Sequence, residues 1–216
     1  MRPAFVVTGT DTDVGKTVLA AALVAALDGC YWKPVQCGLA EETDAEIVQR
    51  LGGLTADRII PEVYRLTTPA SPHVAAERDR VEIDVERLAR LPQGGGQRPL
   101  IIEGAGGLMV PLTRRFLQID LFARWGVPVI LCASTRLGTI NHSLLSIEAL
   151  KRRAVPLLGI AFVGDEQADS ERTIVEMGGV RRLGRLPRLS PLDAATLRTA
   201  FERNFRRSDF LADAKT

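Results

Sequence analysis

Gly9-Thr10-Asp11-Thr12-Asp13-Val14-Gly15-Lys16-Thr17 is a close variant of G-x-x-x-x-G-K-[ST], with five residues rather than four between its glycines, the kind of loop with which a chain folds its backbone N–H groups around phosphate oxygens. A β-rich apolar run at residues 4–7 precedes it and a helical pattern at residues 16–27 follows, the strand, loop and helix that such a site needs. The helix start adds the positive end of its dipole. Lys16 then reaches the β- and γ-phosphates, and the Thr17 hydroxyl is placed to ligate Mg²⁺, so the chemistry expected is that of ATP with Mg²⁺. Asp11 occupies the position where nucleotide switches of the partitioning-ATPase type carry a signature lysine, which argues against a switch. Asp11 and Asp13 beside a phosphate site are expected to face Mg²⁺, substrate or solvent.

Other polar residues fall where a parallel sheet presents ligands, at the carboxyl ends of its strands. Glu103 closes an apolar run at residues 99–102 and precedes Gly104-Ala105-Gly106-Gly107; it reads either as a second metal ligand or as a solvated strand end. Lys33 ends the run at residues 31–35, where Pro34 prevents a helix; it reads as a cation facing a transferring phosphoryl group or as a surface lysine. Asp44 follows Glu41-Glu42-Thr43 at a helix start and reads as an N-cap or first-turn carboxylate, or as a metal ligand; spacing alone favours the cap. Gly138-Thr139-Ile140-Asn141 opens another helix, whose free N–H groups either hold an anion such as a substrate carboxylate or are an ordinary helix start. The two histidines, His73 and His142, are too few for a metal cluster and have no nucleophile at a known spacing, so neither is assigned to catalysis. Cys30, Cys37 and Cys132 are odd in number and lack C-x-x-C spacing, which points to reduced thiols.

The elements that must position these residues alternate. Buried strands are expected at residues 4–7, 31–35, 100–102, 127–132 and 157–163, and helices at 16–27, 44–51, 84–91, 140–153, 170–177 and 193–205. That alternation predicts one α/β domain over residues 1–216, a mainly parallel sheet with helices on both faces, with Gln93-Gly94-Gly95-Gly96-Gln97 as a flexible connector. The 216 residues are 46% hydrophobic and 25% charged, enough to bury a sizeable core. A formal charge of +2 gives no field directed at nucleic acid or membrane. No apolar run approaches the ~18 to 20 residues of a membrane span, and the N-terminus leads directly into a strand, so a cytoplasmic location is expected. Arginines concentrated after residue 180 alternate with acidic residues and read as a solvated helical face.

The phosphate loop, Lys33-Pro34-Val35, Ser71-Pro72-His73, Glu103-Gly104-Ala105-Gly106-Gly107 and Leu137-Gly138-Thr139-Ile140-Asn141-His142, in this order, resemble the dethiobiotin synthetase family along nearly the whole chain. The resemblance implies a P-loop NTPase fold and an ATP- and Mg²⁺-dependent ligase. In such an enzyme CO₂ and one amine of 7,8-diaminononanoate form a carbamate, whose oxygen attacks the γ-phosphorus. The resulting carbamic-phosphoric anhydride is closed to a cyclic urea by the second amine. It further implies Lys16 and Lys33 as catalytic cations, and Thr17, Asp44 and Glu103 as Mg²⁺ ligands. Implied nucleotide contacts are Asp13, Val14, Gly15, Lys16, Thr17, Val18, Asp44, Glu103, Gly104, Ala105, Gly106 and the backbone at Pro187. Implied substrate contacts are Thr12, Lys33, Cys37, Gly138, Thr139, Ile140 and Asn141, the last four reaching a substrate held mainly by the other subunit of a homodimer. Cys37 stands where the family commonly has serine, and Val163 or Gly164 where it usually offers an asparagine amide to adenine. Two other readings share the loop: a P-loop amidoligase, which usually carries a glutaminase domain that 216 residues leave no room for, and the switch that Asp11 disfavours.

Overall fold

The apolar, β-branched run after Pro3 forms strand β1 (Ala4–Gly9), in which Val6 and Val7 have no solvent exposure. In the computed structural model, which describes residues 2–211, the chain continues through helix α1 (Lys16–Ala26), strands β2 (Cys30–Trp32) and β3 (Val35–Cys37), and helix α2 (Asp44–Gly52). Strands β4 (Ile59–Ile60) and β5 (Tyr64–Leu66) and helices α3 (Pro72–Asp79) and α4 (Val85–Ala89) lead to the long strand β6 (Leu100–Gly107). A hairpin of β7 (Pro111–Thr113) and β8 (Phe116–Leu117) runs into helix α5 (Gln118–Trp125). Strand β9 (Val129–Ser134), helix α6 (Thr139–Arg152), strand β10 (Leu157–Val163), helix α7 (Ala168–Gly178), strand β11 (Arg182–Leu186) and helix α8 (Ala194–Asn204) complete it.

Seven strands pair in the order β11-β10-β9-β1-β6-β2-β4, every pairing parallel. Such a sheet is covered on both faces, and its strands are apolar throughout rather than alternating. Val7, Leu19, Leu23, Val48, Ile101 and Phe201 share one core, beneath α1, α2 and α8. Val6, Ile102, Phe122 and Leu150 pack on the opposite face with α5 and α6, as the period of two along a strand requires. Phe201 and Phe205 stack with ring centres 4.9 Å apart and close the outer edge of α8. Each fully buried aliphatic side chain contributes about 2 kcal/mol, so β1, buried on both sides, is the fixed member from which the phosphate loop projects.

Two expectations are corrected. The strand expected at residues 31–35 divides, because Pro34 lacks the N–H that a ladder needs; β2 stops at Trp32 and β3 leaves the main sheet to pair in parallel with β5. Lys33 therefore sits at the break between two sheets. The run expected to end at Glu103 continues to Gly107 as β6, with Val7 of β1 beside Glu103, so that carboxylate is inside the protein. The short elements β4, β5, β7, β8, β11, α3 and α5 were not foreseen.

Candidate active site

The phosphate loop leaves β1 at Gly9 and enters α1 at Lys16. Gly15 is the N-cap of α1 at φ 96°, ψ 21°, and a Cβ there would lie 2.7 Å from a Val163 methyl carbon. Both the left-handed backbone and the approach of β10 demand glycine. Lys16, 7% exposed, curls back to donate to the Asp11 carbonyl at 2.9 Å, a contact that a phosphate oxygen can replace. Burial lowers its pKa, against the pull of Glu103. Asp11, Thr12 and Asp13 have exposed side chains, while Val14 turns into the core.

Three oxygens meet beyond the loop. Thr17 Oγ1 lies 2.6 Å from Asp44 Oδ1 and 2.9 Å from Glu103 Oε1, yet a hydroxyl has one hydrogen and can donate to only one of them at a time. Two carboxylates and a hydroxyl that converge with a single proton among them form an oxygen donor set suited to a small hard cation. Among the described residues no group of three or more His, Cys, Asp or Glu could hold a metal. Mg²⁺ binds through one or two carboxylates and fills its remaining positions with phosphate and water.

Lys33 Nζ completes the cluster, 2.5 Å from Asp44 Oδ2 and 3.4 Å from Glu103 Oε1. Burial alone would lower the ammonium's pKa, but Glu103 and Asp44 outweigh it and raise it. Asp44 is likewise opposed by burial, yet Lys33 and the Thr17 hydroxyl keep it below the usual carboxylate range. Glu103, 1% exposed, is raised by burial in spite of Lys33. The N-cap of α2 is Thr43, not Asp44: the Thr43 backbone N–H donates to Glu46 at 2.7 Å in a capping box, which leaves Asp44 free to point at Thr17.

These groups line a cleft of about 810 Å³ that also contains Thr12, Asp13, Gly15, Val18, Cys37, Ala105 and Gly106, with Ser71 and Pro72 on its rim. Gly104 packs instead against Gln118 and Phe122, and Pro187, just beyond β11, is not in the lining. Gly138, Thr139, Ile140 and Asn141 line a separate cleft of about 790 Å³ with Asp165 and Arg188. Thr139 Oγ1 there is buried without a hydrogen-bond partner.

Sequence reasoning missed two buried polar supports. Gln118 accepts from the Ala105 N–H at 2.7 Å and donates to the Gly107 carbonyl at 3.0 Å, pinning the glycine-rich end of β6. Tyr31 donates to Glu103 Oε2 at 2.9 Å. A glutamine opening the amphipathic stretch of α5 and a tyrosine inside a fully apolar strand were the available signals.

Burial pushes the Cys37 thiol up to about 11, so below that pH it is the neutral, unreactive form. Alkylation of Cys37 by iodoacetamide at pH 8 is expected to run about a hundredfold slower than that of an unperturbed thiol near pKa 8.5, and to quicken as pH rises toward 11. Cys37→Ser is expected to retain turnover within about threefold, since the hydroxyl is the stronger hydrogen-bond partner. Rapid labelling at pH 8, or a large loss in the serine variant, would show a nucleophilic role instead.

A family model described as an AAA domain matches residues 3–196. The ATP-dependent dethiobiotin synthetase BioD of Rhodopseudomonas palustris (strain TIE-1) is 65% identical over 214 residues, covering 99% of this chain and 100% of that protein. The protein of the same name from Brucella anthropi is 62% identical, covering 95% of each. The septum site-determining protein MinD of Pyrococcus horikoshii, solved with Mg-ADP, superposes with a TM-score of 0.56 at 12% identity over 100% of this chain and 91% of that one. The MinC:MinD complex of Aquifex aeolicus gives 0.56 at 12% identity, over 93% and 94%; likenesses this remote establish the fold alone. Identity above 60% from end to end, on a chain that sets two lysines and two carboxylates around a phosphate loop, establishes that this protein belongs to the ATP-dependent dethiobiotin synthetase family.

Proposed function

We propose that the cleft beside the phosphate loop joins CO₂ to 7,8-diaminononanoate at the expense of ATP, with Mg²⁺ held by Thr17, Asp44 and Glu103. The family's activity, ATP-dependent synthesis of dethiobiotin, is this protein's activity. The observation that carries the residue-level reading is the meeting of Lys16, Lys33, Thr17, Asp44 and Glu103 in one cleft. When bound, Mg²⁺ supplies charge neutralisation at the phosphates.

The chain's own residues do the rest. Backbone N–H groups of residues 13–18 and the start of α1 hold the phosphates. Lys16 exchanges its Asp11 carbonyl for a phosphate oxygen and follows the negative charge that builds on the transferring group. Lys33 is kept protonated by its two carboxylates and faces the carbamate. A carbamate oxygen bonds to the γ-phosphorus as the bond to ADP breaks; the second amine then attacks the carbamoyl carbon, phosphate leaves with the electron pair, and the ring closes. Cys37, neutral throughout, contacts substrate without forming a covalent bond to it.

The second cleft, with its unpartnered Thr139 hydroxyl at the start of α6, supports a role in binding the substrate carboxylate across a homodimer. Among the described residues no helix is long and apolar enough to cross a membrane, and a cytoplasmic location is part of the same reading. Arg181, Arg182, Arg185 and Arg188 each pair with a carboxylate, which favours a surface that serves stability over one that binds nucleic acid.

The test is phosphate release by the purified protein with ATP, Mg²⁺ and bicarbonate, with and without 7,8-diaminononanoate, the cyclic urea being followed by mass spectrometry. Release that depends on the diamine, with one urea per phosphate, is the expected result. Hydrolysis of ATP indifferent to the diamine would sink the reading in favour of a switch or another amidoligase.

A further inference from the structure

We propose that Tyr31 is a positioning residue for Glu103, fixing the rotation of its carboxylate so that one oxygen faces the metal site. The proposal rests on the reading of Thr17, Asp44 and Glu103 as that site. Parallel register places Tyr31 of β2 beside Ile101 of β6. Ile101 and Glu103, two residues apart on one strand, project from the same face of the sheet. The ring of Tyr31, fully buried, thus lies one step below Glu103 and carries its hydroxyl to the far oxygen, Oε2, at 2.9 Å. The near oxygen, Oε1, is the one that meets Thr17 at 2.9 Å and Lys33 at 3.4 Å.

The division of labour follows from the two oxygens. A carboxylate with both oxygens free swings about its terminal torsion, which is broad and two-fold. Held at Oε2, it presents Oε1 in one direction only. Partners behind a metal ligand commonly change metal affinity by about tenfold to a hundredfold when removed. Among the described residues nothing else donates to Oε2 at hydrogen-bond distance, so phenylalanine at this position leaves that oxygen buried and unsatisfied. The tyrosine makes no contact with the cleft itself, and its effect must pass through Glu103.

The experiment measures Mn²⁺ affinity by electron paramagnetic resonance in the presence of ADP, for wild type, Tyr31→Phe, Glu103→Gln and the double variant, each first shown to be folded by its melting curve. Tyr31→Phe is expected to weaken Mn²⁺ about tenfold. In the Glu103→Gln background the same change is expected to do nothing further, the signature of action through one carboxylate. Turnover by Tyr31→Phe at low Mg²⁺ should fall in parallel and recover at saturating Mg²⁺, with KM for the diamine unchanged.

Equal Mn²⁺ affinity in wild type and Tyr31→Phe, or equal losses in both backgrounds, would overturn the proposal. If wild type itself fails to bind Mn²⁺ with ADP, the metal-site reading fails first, and that outcome is distinct. If Tyr31→Phe does not fold, the two tyrosines, Tyr31 and Tyr64, can be replaced by 3-fluorotyrosine and told apart with Tyr64→Phe. The Tyr31 fluorine resonance should then shift when Mg²⁺ joins the ADP-bound protein, and a stationary resonance would overturn the proposal equally.

Discussion

Lys33→Met is expected to lower kcat by about a hundredfold to a thousandfold, the cost of removing one preorganised donor from a developing oxyanion. KM for ATP should change little, because the phosphate loop and Lys16 are intact. A second effect separates this lysine from an ordinary catalytic cation. Its ammonium is the counter-charge of Asp44 and Glu103, the latter with no exposed side-chain surface. Breaking such a pair strands buried carboxylate charge, at a cost of about 3 kcal/mol, which for a chain of this size lowers Tm by roughly 6 to 12 °C. Mg²⁺ with ADP brings a replacement positive charge to the same oxygens. The Tm increase on adding Mg²⁺ and ADP should therefore be larger in Lys33→Met than in wild type. Calorimetry with and without the ligands, beside phosphate-release kinetics, measures both effects. Turnover within tenfold of wild type, or an unchanged unliganded Tm, would contradict the placement of Lys33 in both roles.

How much of this was legible in the sequence depends on the range of the interaction. The phosphate loop is local: glycines, lysine and threonine stand within nine residues, and the strand and helix on either side show their periods directly. The proposed metal site is not local. Thr17, Asp44 and Glu103 lie 27 and 86 positions apart along the chain, and only the strand order and the capping box at Thr43 bring them together. Spacing alone favoured Asp44 as a cap, and only the backbone shows that Thr43 precedes the first helical turn and takes that role. Pro34 was read correctly as a helix stop, but that the chain would change sheets there depended on β5, a strand of three residues too short to announce itself. Tyr31 was hidden for a different reason. Its contact with Glu103 depends on parallel register between β2 and β6, and register between buried apolar strands leaves no mark on either strand alone.

Lys16→Met should be as damaging to turnover as Lys33→Met and opposite to it in stability. Activity is expected to fall by about a hundredfold to a thousandfold, and here the nucleotide-induced rise in Tm should be lost as well, since Lys16 is the side chain proposed to reach the phosphates. Among the described residues, however, no carboxylate is in contact with Lys16. The residue is 7% exposed, its amine donates to the Asp11 carbonyl, and burial lowers its pKa in spite of the nearby Glu103. The fold thus holds this charge at a cost, one that binding of phosphate later offsets. Methionine keeps the length of the stem and removes the charge, so the unliganded variant should melt at a higher temperature than wild type. On this reading one lysine stabilises the site and the other strains it, although both are proposed to serve the same phosphoryl group. Thermal melts of the two variants without ligand, run side by side, test this directly: a Tm that falls in Lys16→Met would mean that its ammonium is paired in solution, and that the loop is not held ready for phosphate in the way described.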